Sequence, residues 1–170
     1  MRFVWLLAAA PFVACKKYRR PVVEATVEEP GELASKISMG NPNDESQLLN
    51  GFYGVESKSW RWTAKKFAVS LHPPPAGRLM GLKLELDCAV ADAIASQLLP
   101  LTVGAKVGGV ALDTQKLTKA GRQMVLFAVP KQALNEDAVV VEFELDKVAK
   151  MGDESRELGL IVVGAGFVEP

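Results

Sequence analysis

Two pairs of acidic residues stand two positions apart within apolar runs of the sequence, Glu85 with Asp87 and Glu142 with Glu144. Glycosidases use two carboxyl groups about 5–9.5 Å apart on either side of the bond that they cleave, and residues i and i+2 of a strand lie on one face. Both pairs therefore have the residue types and the spacing for that chemistry. Because apolar residues alternate with the acids, we interpret each pair as the solvent-facing side of a sheet.

The other candidates for catalysis or metal binding stand alone. His72 is the only histidine, so no signature of a Ser-His-Asp, a Cys-His or an imidazole-rich zinc site can be built around it. Cys88 alternates with apolar residues and is predicted to be a small core side chain. The glycine-rich residues 104–109 lack the Lys-Ser/Thr of a phosphate-binding loop. The sequence therefore predicts no catalytic residue, no metal and no cofactor, and a chain that is not an enzyme.

Aromatic residues are concentrated in residues 51–63. A sugar ring presents an apolar C–H face, which packs on aromatic side chains, and hydroxyl groups, which bind polar neighbours. By this criterion the candidate ligand-binding residues are Tyr53, Trp60 and Arg61. Trp60 and Trp62 would share one face of a strand, and both rings would simply pack if that face were the core. We expect Trp62 to be buried, and the exposure of Trp60 and Tyr53 stays open.

The charge balance excludes one class of partner. The chain has 20 basic and 20 acidic residues, whereas nucleic-acid binding depends on clustered Lys and Arg. We therefore expect no nucleic-acid partner. Hydrophobic residues make up 49% of the 170 positions, which is enough to bury the core of one domain with additional segments beside it.

The N-terminus has the composition of an export signal. Arg2 precedes an apolar run over residues 3–14, which as a helix would reach about 18 Å, well short of the roughly 30 Å of a bilayer core. We therefore predict a cleaved signal peptide over residues 1–14. Residues 12–15, Phe-Val-Ala-Cys, resemble a bacterial lipobox. This resemblance implies that Cys15 is lipidated and becomes the mature N-terminus.

A lipid on Cys15 would anchor the protein in the cell envelope, with the membrane as its partner. Lys16 stands where the enterobacterial inner-membrane signal has Asp, so the resemblance implies the outer membrane. The alternative is an ordinary secretion signal and a soluble secreted or periplasmic protein. Residues 15–47 contain prolines, glycines and glutamates but few large apolar residues, and we predict that they form a flexible tether.

Residues 48–170 alternate apolar and polar positions, with turn signals between the runs, which predicts short strands. Gly108-Gly109 predicts a two-residue hairpin turn, because both positions need positive φ. Residues 123–129 are nearly all apolar and could be buried on both faces, and only residues 90–99 resemble a helix. The domain is therefore predicted to be all-β, an antiparallel β-sandwich.

The order of motifs in this domain resembles a jelly-roll domain of uncharacterised bacterial envelope proteins, which is also appended to bacterial glycosyltransferases. That group is similar to carbohydrate-binding modules and galactose-binding-like sandwiches. The likeness covers residues 51–167 and includes GFYxxExxxxRW, a Gly-Gly hairpin and D-x-x-R-x-L-G-L. The matching positions are Gly51, Phe52, Tyr53, Glu56, Arg61, Trp62, Gly109, Asp153, Arg156, Leu158 and Gly159.

The resemblance also implies roles for charged residues, because in such domains the matching positions pin the edges of the sandwich. It implies structural ion pairing by Glu56, Asp153 and Arg156, in which Arg156 pairs with Asp153 or with Glu56. The alternative is that Glu56 and Arg61 bind sugar hydroxyls, the latter through its planar fork of donors.

Two functions follow from these observations. The favoured one is a non-catalytic, lipid-anchored envelope protein with a carbohydrate-binding-like sandwich, which holds a glycan or a glycan-bearing partner near Tyr53, Trp60 and Arg61. The alternative is a structural or protein–protein interaction lipoprotein that binds no glycan, with all of these aromatic side chains in its core.

Overall fold

The computed structural model describes residues 33–152 and 155–169. The predicted signal peptide, Cys15 and Asp153 lie outside these residues. Within them, no helix is long and apolar enough to cross a membrane. The strands are β1 (Lys36–Ser38), β2 (Leu48–Glu56), β3 (Trp60–Leu71), β4 (Leu82–Val90), β5 (Leu101–Val107), β6 (Val110–Ala111), β7 (Gln115–Leu117), β8 (Gly121–Val129), β9 (Val139–Leu145) and β10 (Ile161–Val168). The helices are α1 (Gly77–Met80) and α2 (Ala95–Leu98), with 3₁₀ turns at Pro42–Gln47, Asp92–Ile94 and Lys131–Ala133.

The strands form one antiparallel sheet in the order β6-β5-β9-β3-β10-β4-β8, with β1 beside β10, β2 beside β3 and β7 beside β5. The sheet curls into a half-barrel. A ring contact shows the curl directly, because Phe127 on β8 and Phe143 on β9 are 6.2 Å apart between ring centroids, although β3, β10 and β4 lie between their strands in the sheet. The predicted all-β sandwich is confirmed.

Strict alternation of buried and exposed residues builds the core. In β9 every second residue from Val139 to Leu145 is buried, and the residues between them, including Glu142 and Glu144, are exposed. β4 and β5 alternate in the same way. Because the period of a strand is two, each of these strands supplies one apolar face to the space between the two halves of the sheet.

Two local predictions also hold. Gly108 and Gly109 join β5 to β6 with φ of 53° and 80°, as a two-residue turn of primed type requires. Residues 90–99 contain only a 3₁₀ turn and the short helix α2. Ile94 and Leu98 in this segment are fully buried, so the segment closes part of the core without forming a long helix.

The prediction that residues 123–129 are buried on both faces is wrong. Val125 and Phe127 are buried, but Met124 and Leu126 are 50% and 46% exposed. The reason is tertiary, because the outer side chains Met124 and Leu126 are left exposed by the residues that the structure describes. The apolar residues of β8 therefore lie on both faces of the strand, and only those on the inner face are buried.

Residues 36–47 also differ from their prediction as tether. They form β1 and a 3₁₀ turn within the fold, and Ile37 is 2% exposed. Side-chain hydrogen bonds hold this segment where apolar residues are few. The amide of Gln47 binds both backbone groups of Ala34 and donates to the carbonyl of Ser70. The carboxylate of Asp44 accepts a hydrogen bond from the backbone of Ser38.

Two glycines of β10 admit β1 to the sheet. A Cβ atom on Gly166 would lie 2.6 Å from Lys36 Cα, and one on Gly164 would lie 2.8 Å from the carbonyl oxygen of Ile37. Cβ atoms in proteins essentially never come within 3.0 Å of such atoms. These glycines therefore permit the close approach of β1, and they are needed for the pairing of the segment before residue 48.

The buried thiol of Cys88 gives a test of this core. Burial, followed by the Asp87 carboxylate, raises the pKa of Cys88 from 9.0 to about 12. In the unfolded chain the thiol loses its proton near its ordinary pKa, so the free energy of unfolding should fall as pH rises from 9 to 12, by at most about 1.4 kcal/mol per pH unit.

We expect Cys88→Ala to lose this component, so its free energy of unfolding in urea should fall less steeply above pH 9 than that of the wild type. The comparison uses slopes against pH, because the substitution also removes core volume at every pH. Parallel slopes for the two proteins would contradict the buried, protonated thiol.

Candidate functional site

The hairpin between β2 and β3 positions the aromatic candidates. Glu56 and Trp60 are paired across it, and the backbone N–H of Ser59 donates to the carbonyl of Glu56 over 3.1 Å. Ser57 and Lys58 in the turn have φ of 49° and 54°, which is uncommon for residues other than glycine. The turn is thus a tight one, and its geometry fixes where Trp60 begins β3.

Gly40 packs directly against this turn. A Cβ atom at Gly40 would lie 2.1 Å from the carbonyl oxygen of Lys58, which only a missing side chain allows. The segment after β1 therefore supports the tip of the hairpin.

Trp60 and Trp62 form an edge-to-face pair with ring centroids 6.0 Å apart and an interplanar angle of 84°. Trp62 is 6% exposed, so its prediction as a buried residue is confirmed. Trp60 is half-buried and packs against the core from outside. Such pairs contribute about 0.5–1.5 kcal/mol beyond the area that they bury, so Trp62 acts as a fixed support for a partly open Trp60 ring.

Tyr53 is half-buried and held at both ends. Its hydroxyl donates to the carbonyl of Glu157 over 2.9 Å, and the guanidinium of Arg156 lies 5.1 Å from its ring centroid, within cation–π range. Nη1 of the same arginine is 3.9 Å from Oε1 of Glu56. Tyr53, Glu56 and Arg156 are thus in contact, and Trp60 is the cross-strand partner of Glu56 at the same end of the β2–β3 hairpin. We call these four residues the hairpin cluster.

Arg61 lies elsewhere. It is 9% exposed, its Nε and Nη1 each donate over 3.3 Å to the carbonyls of Met39 and Tyr53, and its Nη2 is 3.1 Å from Oε1 of Glu45. The structure therefore does not bring the Arg61 guanidinium to the surface of the hairpin cluster. The arginine at the cluster is Arg156, which the sequence analysis assigned only to ion pairing.

A concave surface lies apart from the hairpin cluster, on the outer side of β3, β9 and β5. It is an open trough of about 270 Å³, with Ala68 and Gly104 among its lining residues. Lys66 and Glu144 form an ion pair of 3.2 Å across it. Glu142 is exposed in the same trough, so both acids of this pair lie on an exposed sheet face, as the sequence predicted. The trough contributes polar surface but no exposed aromatic ring.

Glu85 and Asp87, the other acidic pair, form ion pairs that the sequence did not predict. Glu85 binds Lys36 over 2.6 Å, and Asp87 binds Arg122 through two hydrogen bonds, the shorter of them 2.5 Å. Both acidic side chains are 15% exposed. The basic partners come from β1 and β8, on either side of the β4–β10 pair, which the sequence could not place beside β4.

His72 lies beside an ion pair of Arg78 with Asp137. Nδ1 of His72 lies 2.7 Å from the carbonyl oxygen of Asp137, and the Arg78 guanidinium beside Asp137 lowers the pKa of that carboxyl group, mainly through a hydrogen bond. In the part of the chain that the structure describes, no three His, Cys, Asp or Glu residues are grouped to hold a metal ion.

No protein-family model matches this sequence, and no curated protein matches it. Among solved structures, the chain is similar to an acetyl xylan esterase from the rumen bacterium Butyrivibrio proteoclasticus, with 15% identity and a TM-score of 0.47. The likeness covers 79% of this chain and 32% of that chain, so this chain spans about a third of the esterase's length.

This likeness corrects one prediction. The sequence predicted that the chain is not an enzyme, but the matched chain is named as an esterase, so the exclusion of catalysis is wrong as stated. At 15% identity and a TM-score of 0.47, the likeness assigns no substrate or reaction to this chain.

The burial of Arg61 yields a stability prediction. Arg61→Ala removes the Arg61 donors from the buried hydrogen bond to the Met39 carbonyl and the part-buried one to the Tyr53 carbonyl, and a buried group left without a partner costs about 1–3 kcal/mol. We expect the free energy of unfolding to fall by about 2–4 kcal/mol in urea titrations followed by circular dichroism.

Glu45→Gln is the matched control, because it removes only the ion pair of a carboxylate whose side chain is 64% exposed. We expect it to change stability by less than about 1 kcal/mol. Equal effects of the two substitutions would show that the ion pair, and not the two carbonyl hydrogen bonds, accounts for the role of Arg61.

Proposed function

We propose that this chain is an envelope protein whose β-sandwich binds carbohydrate at the hairpin cluster of Tyr53, Glu56, Trp60 and Arg156. The observation that carries the proposal is the contact of Arg156 with both Tyr53 and Glu56, beside the half-buried Trp60, which is paired with Glu56 across the hairpin. Arg61, the third residue of the original ligand hypothesis, would act from beneath by holding the hairpin.

The composition of the cluster fits a sugar. The partly open ring of Trp60 offers a surface for the C–H face of a pyranose, and the rigid support of Trp62 limits the entropy lost on binding. The carboxylate of Glu56 accepts hydrogen bonds from hydroxyl groups, and the guanidinium of Arg156 donates them. Since these two charges lie 3.9 Å apart, they present an acceptor and a donor on the scale of neighbouring sugar hydroxyls.

Tryptophan fluorescence tests this site. We expect a blue shift or quench when xylo-, cello- or galacto-oligosaccharides are added to the wild type, and loss of the response in Trp60→Ala. Because Trp60 is half-buried and packs on Trp62, the substitution should lower the melting temperature, and a thermal melt checks that the variant is still folded at the assay temperature.

Trp60→Phe is the matched control, since it keeps an aromatic face and should retain binding in isothermal titration calorimetry. An equal loss in both variants, or no response of the wild type to any of these sugars, would favour the alternative function, a protein–protein interaction surface without a glycan ligand.

We further propose that Cys15 carries the lipid that anchors the protein to the membrane, with residues after it as spacer and the outer membrane as destination. The support is the lipobox-like Phe-Val-Ala-Cys and the short apolar run before it. Two or more acyl chains make such anchoring stable, whereas a single chain is marginal.

Metabolic labelling with radioactive palmitate tests the anchor. We expect the wild type to be labelled and its processing to be blocked by globomycin, and Cys15→Ser to lose the label. Cys88→Ala, which alters the only other cysteine, should keep it. An unlabelled wild type would leave the alternative, a soluble secreted or periplasmic protein.

A further inference from the structure

The free edges of the sheet differ in how well they are protected against pairing with strands of other chains. β1, β6 and β7 are edge strands of three, two and three residues. β2 is longer, but its pairing with β3 shifts register three times. Short strands and bulges are the means by which proteins prevent sheet edges from pairing with other chains. Four of the edges therefore carry such protection.

β8 does not. It has nine residues, it pairs with β4 over its whole length without a register shift, and among the described residues it has no strand on its other side. An edge strand of this kind presents a row of backbone N–H and C=O groups that lack strand partners. The absence of a bulge keeps that row regular.

The charged side chain of β8 also does little to prevent the strand from pairing with another chain. Arg122 is the only charged residue of the strand, and both of its carboxylate hydrogen bonds go to Asp87 on β4. The guanidinium is therefore held over the β4 side of β8. The outer positions that follow Arg122 are the exposed Met124, Leu126 and Ala128, and these leave an apolar stripe along the strand.

The sequence of β8 is complementary to itself in the antiparallel direction. When Val125 lies opposite Val125 of a second copy, all nine residues pair, and outer residues meet outer residues. Met124 then faces Leu126 of the other chain, and Leu126 faces its Met124. Arg122 faces Ala128, so no like charges meet within the paired strands, a juxtaposition that would be destabilising.

We propose that two copies of this chain associate through antiparallel pairing of their β8 strands, centred on Val125, so that the two sheets become continuous. The occupant is a second copy because, in one register, the apolar stripe of the strand meets itself and no like charges are opposed. Such an interface is isologous and uses the β8 edge of both chains, so it ends at a dimer. Strand pairing gives the backbone hydrogen bonds, and the four outer apolar side chains add specificity.

Analytical ultracentrifugation of the full chain tests association. We expect a concentration-dependent monomer–dimer equilibrium for the wild type, and a dissociation constant raised at least about ten-fold in Leu126→Lys, which sets a charge against Met124 of the partner copy. Val140→Lys is the matched control, because Val140 is 44% exposed on a strand that is paired on both sides, and it should leave the equilibrium unchanged.

Cysteine cross-linking tests the register. In a Cys15→Ser background, Met124→Cys and Leu126→Cys chains carrying different tags should form a mixed disulfide at least about ten-fold faster than either forms a disulfide with itself, because only the mixed pair is directly opposed. Cys88 is fully buried and should not compete.

The outcomes are distinct. A dimer weakened by Leu126→Lys, together with preferential mixed cross-linking, supports the proposal. A monomer at all concentrations, a dimer that is equally stable in both lysine variants, or growth beyond two copies would overturn it. Thermal melts of each variant show whether it is folded. A Leu126→Lys chain that is folded but monomeric supports the proposal, because it has lost association and not folding.

Discussion

The change of partner along β3 is the constraint on which both halves of the fold depend. Its N-terminal part pairs with β10 and its C-terminal part with β9, so the ladder on one edge must be interrupted between them. Thr63 fills this interruption. Its backbone exchanges hydrogen bonds with Gly159 and Leu160, and its buried hydroxyl oxygen accepts a third from the Leu160 N–H. A Cβ atom at Gly159 would lie 2.8 Å from that oxygen. The curl of the sheet is thus stabilised by backbone satisfaction as well as by apolar packing.

The same strand, β3, also positions the candidate site. Because the N-terminal half of β3 extends beyond β9, it presents Trp60 and Trp62 at the end of the sandwich together with the turn that joins it to β2. Arg61, between them in sequence, points to the other face of the strand and donates to the carbonyl oxygens of Met39 and Tyr53. Adjacent residues of one strand therefore have opposite tasks, since the arginine holds the hairpin from within while the partly open Trp60 remains available. A buried arginine suits this task because its donors are numerous and fixed in geometry.

Curling without closure leaves the sheet with free edges, and the molecule treats them unequally. The short and bulged strands lie around β5, β10 and β3, whereas the long regular strand β8 ends the sheet on the other side. The same two-residue period that sends Val125 and Phe127 inward sends Met124 and Leu126 outward. In the described part of the chain, β8 therefore keeps both a free backbone edge and an exposed apolar stripe beside it.

Local patterns in the sequence determined the strands, the Gly-Gly turn and the burial of Trp62 and Cys88, because the alternation of apolar residues and the need for positive φ act over a few neighbouring positions. The likeness in motif order predicted that Arg156 pairs with Asp153 or with Glu56, and in the structure Nη1 of Arg156 lies 3.9 Å from Oε1 of Glu56. Tertiary structure alone decided the role of Arg61, whose acceptor at Met39 lies 22 residues earlier in the chain. It also decided the inclusion of β1, which depends on close approach to the glycines of β10, and the exposure of one face of β8. A side chain's burial and partners are set by what lies across from it, and that is fixed only when distant segments pack together.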